Sequence, residues 1–160
     1  MTYNHKLLVK LLDHGAKIPT IANKGDLGYD VYALEDVLVP GITEYDNSSV
    51  KVAVIRTGIA VSAYLYEVGS IVDQRENLGL LVKDRSSMAL KGFFTHGGVI
   101  DSGYRGELKV IVTSLSNYHV KKGDKIAQIV PVRVYTGTTK QVEEFDSTER
   151  GELGFGSSGS

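Results

Sequence analysis

The sequence predicts an all-β fold with one short helix, and two observations support this fold class. Runs rich in Val and Ile, which alternate in places with polar residues, span residues 50–72, 107–117 and 125–135, and this pattern is typical of β-strands. Clusters of Gly and polar residues separate the runs at short intervals, as turns do. Many short strands joined by turns indicate a β-sandwich, a jelly roll or a barrel.

The individual elements follow from local patterns. The stretch RSSMALKG at residues 85–92 predicts the short helix, with Ser86 or Ser87 as its N-cap and Gly92 at its end. The long segment of residues 64–83 is expected to form an extended hairpin. The three prolines would suit strand ends or edges: Pro19, Pro40 and Pro131.

The length of 160 residues fits one domain with a substantial core, which we assign to residues 1–149. The remaining residues, 150–160, include four Gly and three Ser. Such a stretch has little apolar surface to bury and a high ordering cost, so it is predicted to be a mobile tail.

The composition excludes several function classes. A net charge of −1 gives no sign of direct binding to nucleic acid or to an anionic membrane. The absence of Cys excludes disulfides, thiolate catalysis and zinc held by cysteine, and it suits a reducing cytoplasm. The four His lack metal-ligand spacing, the N-terminus is too polar for a signal peptide, and the apolar runs are too short to span a membrane.

Two segments could carry chemistry by themselves. Arg85 and the following Ser pair offer a planar cation, hydroxyls and helix N-terminal N–H groups suited to phosphate oxygens, although a plain capped helix has the same pattern. In HGGVIDSGYRGELKV, Asp101 and Tyr104 fall at the bend of an expected hairpin. Asp101 could serve as a general base towards water, or it could cap the turn.

Two further polar residues interrupt apolar strand patterns. Asp30 would need a partner or a hydrated cation if it faces inward. Gln128 must find hydrogen-bond partners if it is buried, so it is either a structural tie or a ligand contact.

Five segments, taken in order, resemble the five ordered motifs of the trimeric dUTP pyrophosphatase (dUTPase) family: GYDVYA, DRSSMALKG, GGVIDSGYRGEL, GDKIAQIV and RGELGFGSSG. They extend from Gly28 to Gly159, and the third and fifth are the most specific. The resemblance implies a jelly-roll-like distorted β-barrel, a homotrimer with shared active sites, and Mg²⁺-dependent hydrolysis of dUTP to dUMP and pyrophosphate. Such an activity limits uracil incorporation into DNA and supplies dUMP for thymidylate synthesis.

The same resemblance implies a role for each matching residue. Asp101 would activate the attacking water, Tyr104 would pack under the deoxyribose, and Asp30 would hold a water of the Mg²⁺ shell. In the last motif Phe155 would stack on uracil, while Arg150 and Ser157, beside Gly156, would meet the terminal phosphate. The other expected substrate contacts are Arg85, Ser86, Ser87, Gly98, Val99, Ile100, Lys109 and Gln128.

Three positions depart from the family pattern. Asp84 replaces a common Pro, and we expect its side chain to point out, away from the triphosphate. Thr95 replaces an Asn that contacts the nucleotide in relatives. Leu153 stands where Gly is usual, which would stiffen a closing tail.

Two alternatives to dUTP hydrolysis remain at this stage. The related dCTP deaminases share the fold and an RSS stretch, but they carry a Glu where this chain has Ile111, so the proton carrier that deamination needs is missing there. A bifunctional deaminase and dUTPase meets the same objection. A non-catalytic nucleotide-sensing protein on the same fold is the other alternative, and the presence of every expected catalytic side chain disfavours it.

Overall fold

Strands dominate the chain, as the alternation of apolar and polar residues predicts. The computed structural model describes residues 3–42, 51–67, 78–134, 137–148 and 151, with the backbone alone for residues 3–6 and 64–67. The strands are β1 (Tyr3–Leu11), β2 (Tyr29–Tyr32), β3 (Val37–Val39), β4 (Ala53–Arg56), β5 (Ile59–Glu67), β6 (Leu78–Lys83), β7 (Phe93–His96), β8 (Val99–Ile100), β9 (Lys109–Ser114), β10 (Tyr118–Val120) and β11 (Lys125–Arg133). A single helical turn, α1 (Ser86–Ala89), lies between β6 and β7.

The described strands form four open antiparallel sheets. The largest has the strand order β2-β11-β6-β8, and a second has the order β4-β9-β7. Two ribbons complete the set: β1 pairs with β5 from Tyr3↔Glu67 to Leu11↔Ile59, and β10 pairs with β3. The all-β fold class predicted from the sequence is therefore confirmed.

The core lies between these sheets and takes one face of each strand. Phe93 is fully buried, and its ring centroid lies 5.3 Å from that of Tyr118 at an interplanar angle of 59°, a tilted arrangement that aromatic pairs favour. Other large side chains that are fully buried are Ile55, Ile59, Leu108, Ile126 and Ile129. Among the predicted site residues, this packing fixes the strands that carry Asp30, Val99, Ile100, Lys109 and Gln128.

Proline positions agree with the expected strand ends and edges. Pro40 directly follows β3, and Pro19 precedes an isolated bridge at Thr20. Pro131 lies inside β11, but the described pairing with β2 stops at Ile129, so one side of β11 has no paired strand at that point. The missing N–H of proline therefore costs no ladder hydrogen bond there.

The helix lies where the sequence predicts it, but its predicted cap is wrong. The N-cap is Arg85, in an extended conformation and without a side-chain capping hydrogen bond, so neither Ser86 nor Ser87 caps the turn. Gly92, two residues beyond the C-cap Leu90, has a φ of +71° and allows the chain to turn into β7. Both serine hydroxyls are left for other partners.

One predicted hairpin is wrong, and the described ends of the other, β5 and β6, do not pair with each other. β8 pairs with β6 in one sheet, while β9 pairs with β4 and β7 in another. Gly97, with a φ of +57°, and Gly98 carry the chain from the sheet of β7 into that of β8, so the returning strand β9 lies beside β7. Likewise β5 and β6 belong to different sheets, and residues 68–77 between them lie outside the described residues.

Among the described residues, no helix has the length and apolar character required to cross a membrane.

Candidate active site

The turn after β8 places an acid and an aromatic ring together, as the sequence predicts. The N–H of Tyr104 donates to the carbonyl of Asp101 at 3.0 Å, which closes the turn. A Cβ at Gly106 would lie 2.5 Å from the Tyr104 hydroxyl, so only glycine lets this ring fold back across the chain. The hydroxyl then donates to the carbonyl of Glu107 at 3.0 Å.

A cavity of about 290 Å³ opens beside this turn, and we call it the Asp101 cavity. Asp101 itself is exposed, and Tyr104 is 45% exposed. The lining residues are Val54, Gly97, Val99, Ile100, Asp101, Tyr104, Glu107, Lys109 and Ile111. The cavity thus combines an apolar wall, one aromatic ring and a carboxylate accessible to water, which suits an apolar ring with a reacting group at its edge.

The strand β8 can recognise a ligand through its backbone. It is an edge strand of its sheet, so its carbonyl and N–H groups on the side away from β6 face no described strand. On the β6 side, the N–H of Val82 donates to the carbonyl of Gly98 at 2.7 Å. A Cβ at Gly98 would come within 2.3 Å of the Val82 carbonyl oxygen, so glycine is required at this position.

A second cavity, of about 500 Å³, is lined by residues of β2, β11 and the start of α1, and we call it the Arg85 cavity. Arg85 Nε donates to Asp30 Oδ1 at 2.8 Å, and one terminal nitrogen donates to Ser87 Oγ at 3.3 Å and to the Lys125 carbonyl at 3.5 Å. These three contacts leave two of the five guanidinium donors without a partner among the described residues. The polar residues that line the Arg85 cavity are Asn23, Asp26, Asp30, Arg85, Ser86, Ser87 and Gln128.

Asp30 is only 7% exposed, and both of its oxygens are in ion pairs. Lys125 Nζ lies 2.7 Å from Oδ2, opposite the Arg85 contact on Oδ1. The Asp30 hydrogen bond and charge raise the pKa of Lys125 above its ordinary value. The expectation that an inward Asp30 needs partners is confirmed, because Arg85 and Lys125 each neutralise one of its oxygens.

Gln128 connects this cavity to the neighbouring strand. Its Nε2 donates to the carbonyl of Asp84 at 2.9 Å, and a Cβ at Gly28 would lie 2.1 Å from its Oε1. Gln128 is therefore a structural tie that also lines the cavity, and its role as a ligand contact stays a prediction.

The side chain of Asp84 does not line the Arg85 cavity, which agrees with the prediction that it points away from the phosphates. It does not reach into solvent, however, because Thr95 holds it. Its half-buried Oδ1 accepts hydrogen bonds from the backbone N–H of Thr95 at 2.7 Å and from the Thr95 hydroxyl at 2.6 Å. The two departures from the family pattern are therefore partners of one another, because Asp84 supplies the acceptor for both donors of Thr95.

The two cavities are separate within one chain. The Arg85 cavity is lined by residues of β2, β11 and the start of α1, and the Asp101 cavity by residues of β4, β8 and β9 and the turn after β8. Val130 of the first and Val99 of the second both pair with Leu81 of β6, which places them two inter-strand steps, about 10 Å, apart. The cavities share no lining residue.

Sequence comparison identifies the family. The dUTPase family model matches residues 14–159. The chain belongs to the dUTPase family. It is 37% identical to a deoxyuridine 5′-triphosphate nucleotidohydrolase of Clostridioides difficile over 161 residues, covering 97% of this chain and 99% of that protein. It is 38% identical to the enzyme of the same name from Paramecium bursaria Chlorella virus 1 over 156 residues, covering 96% and 97%.

Solved dUTPase structures have the same fold. A variant of the Staphylococcus bacteriophage 80alpha dUTPase with dUpNHpp is 32% identical, has a TM-score of 0.78, and is matched over 97% of this chain and 99% of that one. A variant of the dUTPase from phage phi11 of S. aureus, described with a structural Mg(II) ion, is 28% identical with a TM-score of 0.70, over 89% and 99%.

The structure groups most of the predicted dUTPase site residues into the two cavities. Val99, Ile100, Asp101, Tyr104 and Lys109 line the first, and Gly98 lies beside it, bonded to β6. The second is lined by Asp30, Arg85, Ser86, Ser87 and Gln128. The residues predicted in the last motif lie outside the described residues: Arg150, Phe155, Gly156 and Ser157, with the departure at Leu153.

Sequence reasoning missed two residues at or beside these cavities. Lys125 lies in the quoted GDKIAQIV segment and pairs with Asp30, but a register shift between Lys125 and Ala127 interrupts the alternation of β11, so the sequence pattern alone could not indicate this contact. Glu107 lies in the quoted RGEL segment and lines the Asp101 cavity. Its partners are distant in sequence, so no local signal marks it.

Proposed function

We propose that this chain hydrolyses dUTP to dUMP and pyrophosphate. The observation that carries the proposal is the Asp101 cavity, where a carboxylate accessible to water, an aromatic wall and an unpaired strand edge meet in a chain of the dUTPase family. The product dUMP would supply thymidylate synthesis, and removal of dUTP would limit uracil incorporation into DNA.

Asp101 acts as the general base in this proposal. It takes a proton from a water molecule whose oxygen attacks the α-phosphorus, and the bond to the bridging oxygen breaks as pyrophosphate leaves. A positioned base contributes about 10²–10⁴-fold to such a step. The free backbone groups of β8 read the uracil edge, and the Tyr104 ring packs under the deoxyribose and leaves no room for a 2′-hydroxyl.

The Arg85 cavity binds the phosphates. The two remaining guanidinium donors of Arg85 and the uncapped hydroxyls of Ser86 and Ser87 are suited to phosphate oxygens. Gln128 helps to position the phosphate or the attacking water. Because Asp30 and Lys125 fix the orientation of Arg85, little conformational entropy is lost when the phosphate binds.

The donor set fits a Mg²⁺ ion that arrives with the triphosphate. The described residues contain no cluster of three or more His, Cys, Asp or Glu that could hold a metal alone. Mg²⁺ keeps several waters and binds through phosphates and one or two carboxylates, and Asp30 retains lone pairs for a water of that shell. The ion would neutralise charge on the phosphate oxygens.

A homotrimer would bring the two cavities together. In one chain, the base and the phosphate-binding cation line separate cavities that share no residue. The β4-β9-β7 sheet also leaves Val52 50% and Val54 53% exposed near the Asp101 cavity, an apolar surface suited to burial against another copy. We therefore propose shared sites, each taking Asp101 from one subunit and Arg85 from another.

The residues of the last motif complete the proposed site. Arg150 and Ser157 would meet the terminal phosphate, Phe155 would stack on uracil, and Gly156 would allow close approach of the backbone. We place residues 150–160 apart from the β domain of residues 1–149 as a closing segment. Action on free nucleotides, a cysteine-free chain and a net charge of −1 favour a cytoplasmic enzyme without direct nucleic-acid or membrane contact.

Pyrophosphate release tests the proposal. The full-length chain is incubated with Mg²⁺ and dUTP, beside separate reactions with dCTP, dTTP and UTP, and ammonia is assayed in the dCTP reaction. We expect rapid release from dUTP alone. Ammonia from dCTP would instead support a deaminase, despite the apolar Ile111 in the cavity. Nucleotide binding without any turnover would support a sensing protein.

A further inference from the structure

Glu107 lines the Asp101 cavity and makes several contacts, but it has no role in the proposed reaction. Its side chain is 15% exposed, and Oε1 accepts a hydrogen bond from the N–H of Gly58 at 3.0 Å. Arg56 Nε lies 3.1 Å from Oε1 and 3.2 Å from Oε2. One carboxylate therefore attaches the end of the Asp101–Glu107 turn to the connection between β4 and β5.

The backbone of the same residue holds the aromatic wall. The carbonyl of Glu107 accepts the Tyr104 hydroxyl at 3.0 Å, and the next residue, Leu108, donates its N–H to the carbonyl of Ile59 at 2.7 Å. The position of the Tyr104 ring therefore depends on where Glu107 is fixed, because the ring is hydrogen-bonded to that residue and to no other described group.

The Glu107 carboxylate also lies close to two cations that face each other on neighbouring strands. Arg56 and Lys109 are direct cross-strand partners in β4 and β9. Like charges at such positions repel, and the Glu107 carboxylate lies between them, 4.0 Å from Lys109 Nζ. The Glu107 hydrogen bond and charge raise the pKa of Arg56. Without this carboxylate, Lys109 would move away from Arg56 and alter the cavity wall.

We propose that Glu107 is a positioning residue that sets the discrimination between 2′-deoxyribose and ribose. It acts through Tyr104 and Lys109, which form the wall beside the sugar, and it does not touch the reacting atoms. The inference rests on the proposed function, since it assigns the sugar to the Asp101 cavity. The Tyr104 ring can exclude a 2′-hydroxyl only if it cannot move away from the sugar. The contacts of Glu107 hold the ring in place.

The test compares dUTP and UTP as substrates of Glu107→Gln and Glu107→Ala, with kcat and KM measured for both nucleotides. We expect the ratio of kcat/KM for dUTP over UTP to fall about tenfold in Glu107→Ala, the loss of one or two charge-assisted hydrogen bonds. Glu107→Gln, which keeps an acceptor for Gly58 but loses the charge, should show a smaller fall. Glu35→Gln is the matched control, because Glu35 also raises the pKa of Arg56 but is exposed and outside the turn.

A lower melting temperature with an unchanged dUTP/UTP ratio in both variants would overturn the inference and leave Glu107 a purely structural residue. If Glu107→Ala does not fold, the ratio for Glu107→Gln decides. If the wild-type chain does not hydrolyse dUTP, the proposed function fails separately. The ratio of Kd values for dUpNHpp and its ribose counterpart, in wild type and Glu107→Gln, then decides whether Glu107 sets sugar selectivity.

Discussion

Asp101 shows how a residue's position determines its chemistry. It follows an edge strand and begins a closed turn, so its backbone is fixed while its side chain stays accessible to water. A base needs both conditions, because it must be oriented towards a water molecule and also reached by one.

Asp101→Asn should therefore lose turnover and keep binding. The amide has nearly the same shape but cannot accept the proton, so we expect kcat for dUTP to fall about 10²–10⁴-fold. The Kd for dUpNHpp, measured by calorimetry, should change little. Asp146→Asn, an exposed position away from both cavities, serves as the control. Full turnover by Asp101→Asn would remove the base assignment.

Residues differ in how far the sequence alone could assign them. Asp30 and Gln128 interrupt apolar strand patterns, so their need for partners could be predicted from the sequence. The role of Glu107 could not, because its carboxylate acts on Gly58 and Arg56, about fifty positions earlier in the chain. The position of such a residue becomes informative only once the pairing of β4 with β9 is known.

At the scale of elements, the junction between β6 and β7 joins the two halves of the site. Asp84 lies directly after β6 and before Arg85. Its carbonyl accepts a hydrogen bond from Gln128, and its carboxylate accepts hydrogen bonds from both donors of Thr95. The contact orders the start of the phosphate segment and the strand that leads into β8. Both positions depart from the family pattern in the sequence. Their contact could not be predicted, because it depends on how the sheets are arranged.

Removing this acceptor should destabilise the junction. Asp84→Ala leaves the Thr95 N–H and hydroxyl unpaired in a half-buried position, at a cost of about 1–3 kcal/mol in the free energy of unfolding. Thr95→Val removes one donor only, so in a double-mutant cycle by urea denaturation the two changes should not add. Strict additivity would mean that the hydrogen bond between the Thr95 hydroxyl and the Asp84 carboxylate contributes nothing.

A second junction should make stability depend on acid pH. Hydrogen bonds from the backbone of Lys122 and the side chain of Lys121 hold the pKa of Asp36 below its ordinary value. A lowered folded-state pKa gives stability that is present above the ordinary value of about 3.9 and lost as pH falls through the folded-state value. Asp36→Asn should therefore flatten the loss of stability below about pH 4.

Urea denaturation at a series of acid pH values measures this effect. Asp146→Asn again provides the comparison, since that carboxyl is exposed and has no hydrogen-bond partner among the residues the structure describes. Identical pH profiles for Asp36→Asn and wild type would show that the loop contact does not survive in solution.

At the scale of the whole molecule, the sequence predicts the strands well and their arrangement poorly. Alternation is a local property, so β4, β5, β9 and β11 fall inside the predicted runs. Pairing is not local, and the expected β8–β9 hairpin fails because the Gly97–Gly98 step moves the chain between sheets. The ordered motifs still identified the family, since motif order does not depend on which strands pair.

If the sites are shared between the subunits of a homotrimer as proposed, two inactive chains should rescue one another. Asp101→Asn lacks the base and Arg85→Gln lacks the phosphate-binding cation, so each homotrimer should have low activity. When the two are unfolded together and refolded as a mixture, some sites receive an intact Asp101 from one subunit and an intact Arg85 from another. The pyrophosphate release rate of the mixture should exceed the sum of the separate refolded samples. No excess, in a mixture shown by mass spectrometry to contain mixed trimers, would place both residues in one subunit's site.

If the sites are shared between subunits as proposed, the two separate cavities also determine how the enzyme responds to its own abundance. A chain that has just folded would then hold two incomplete half-sites, and catalysis would begin only when copies meet. Specific activity, which is constant on dilution for an enzyme with a whole site per chain, should here decline once the concentration falls below that which sustains assembly. Expression level would then set the fraction of chains that work as well as their number.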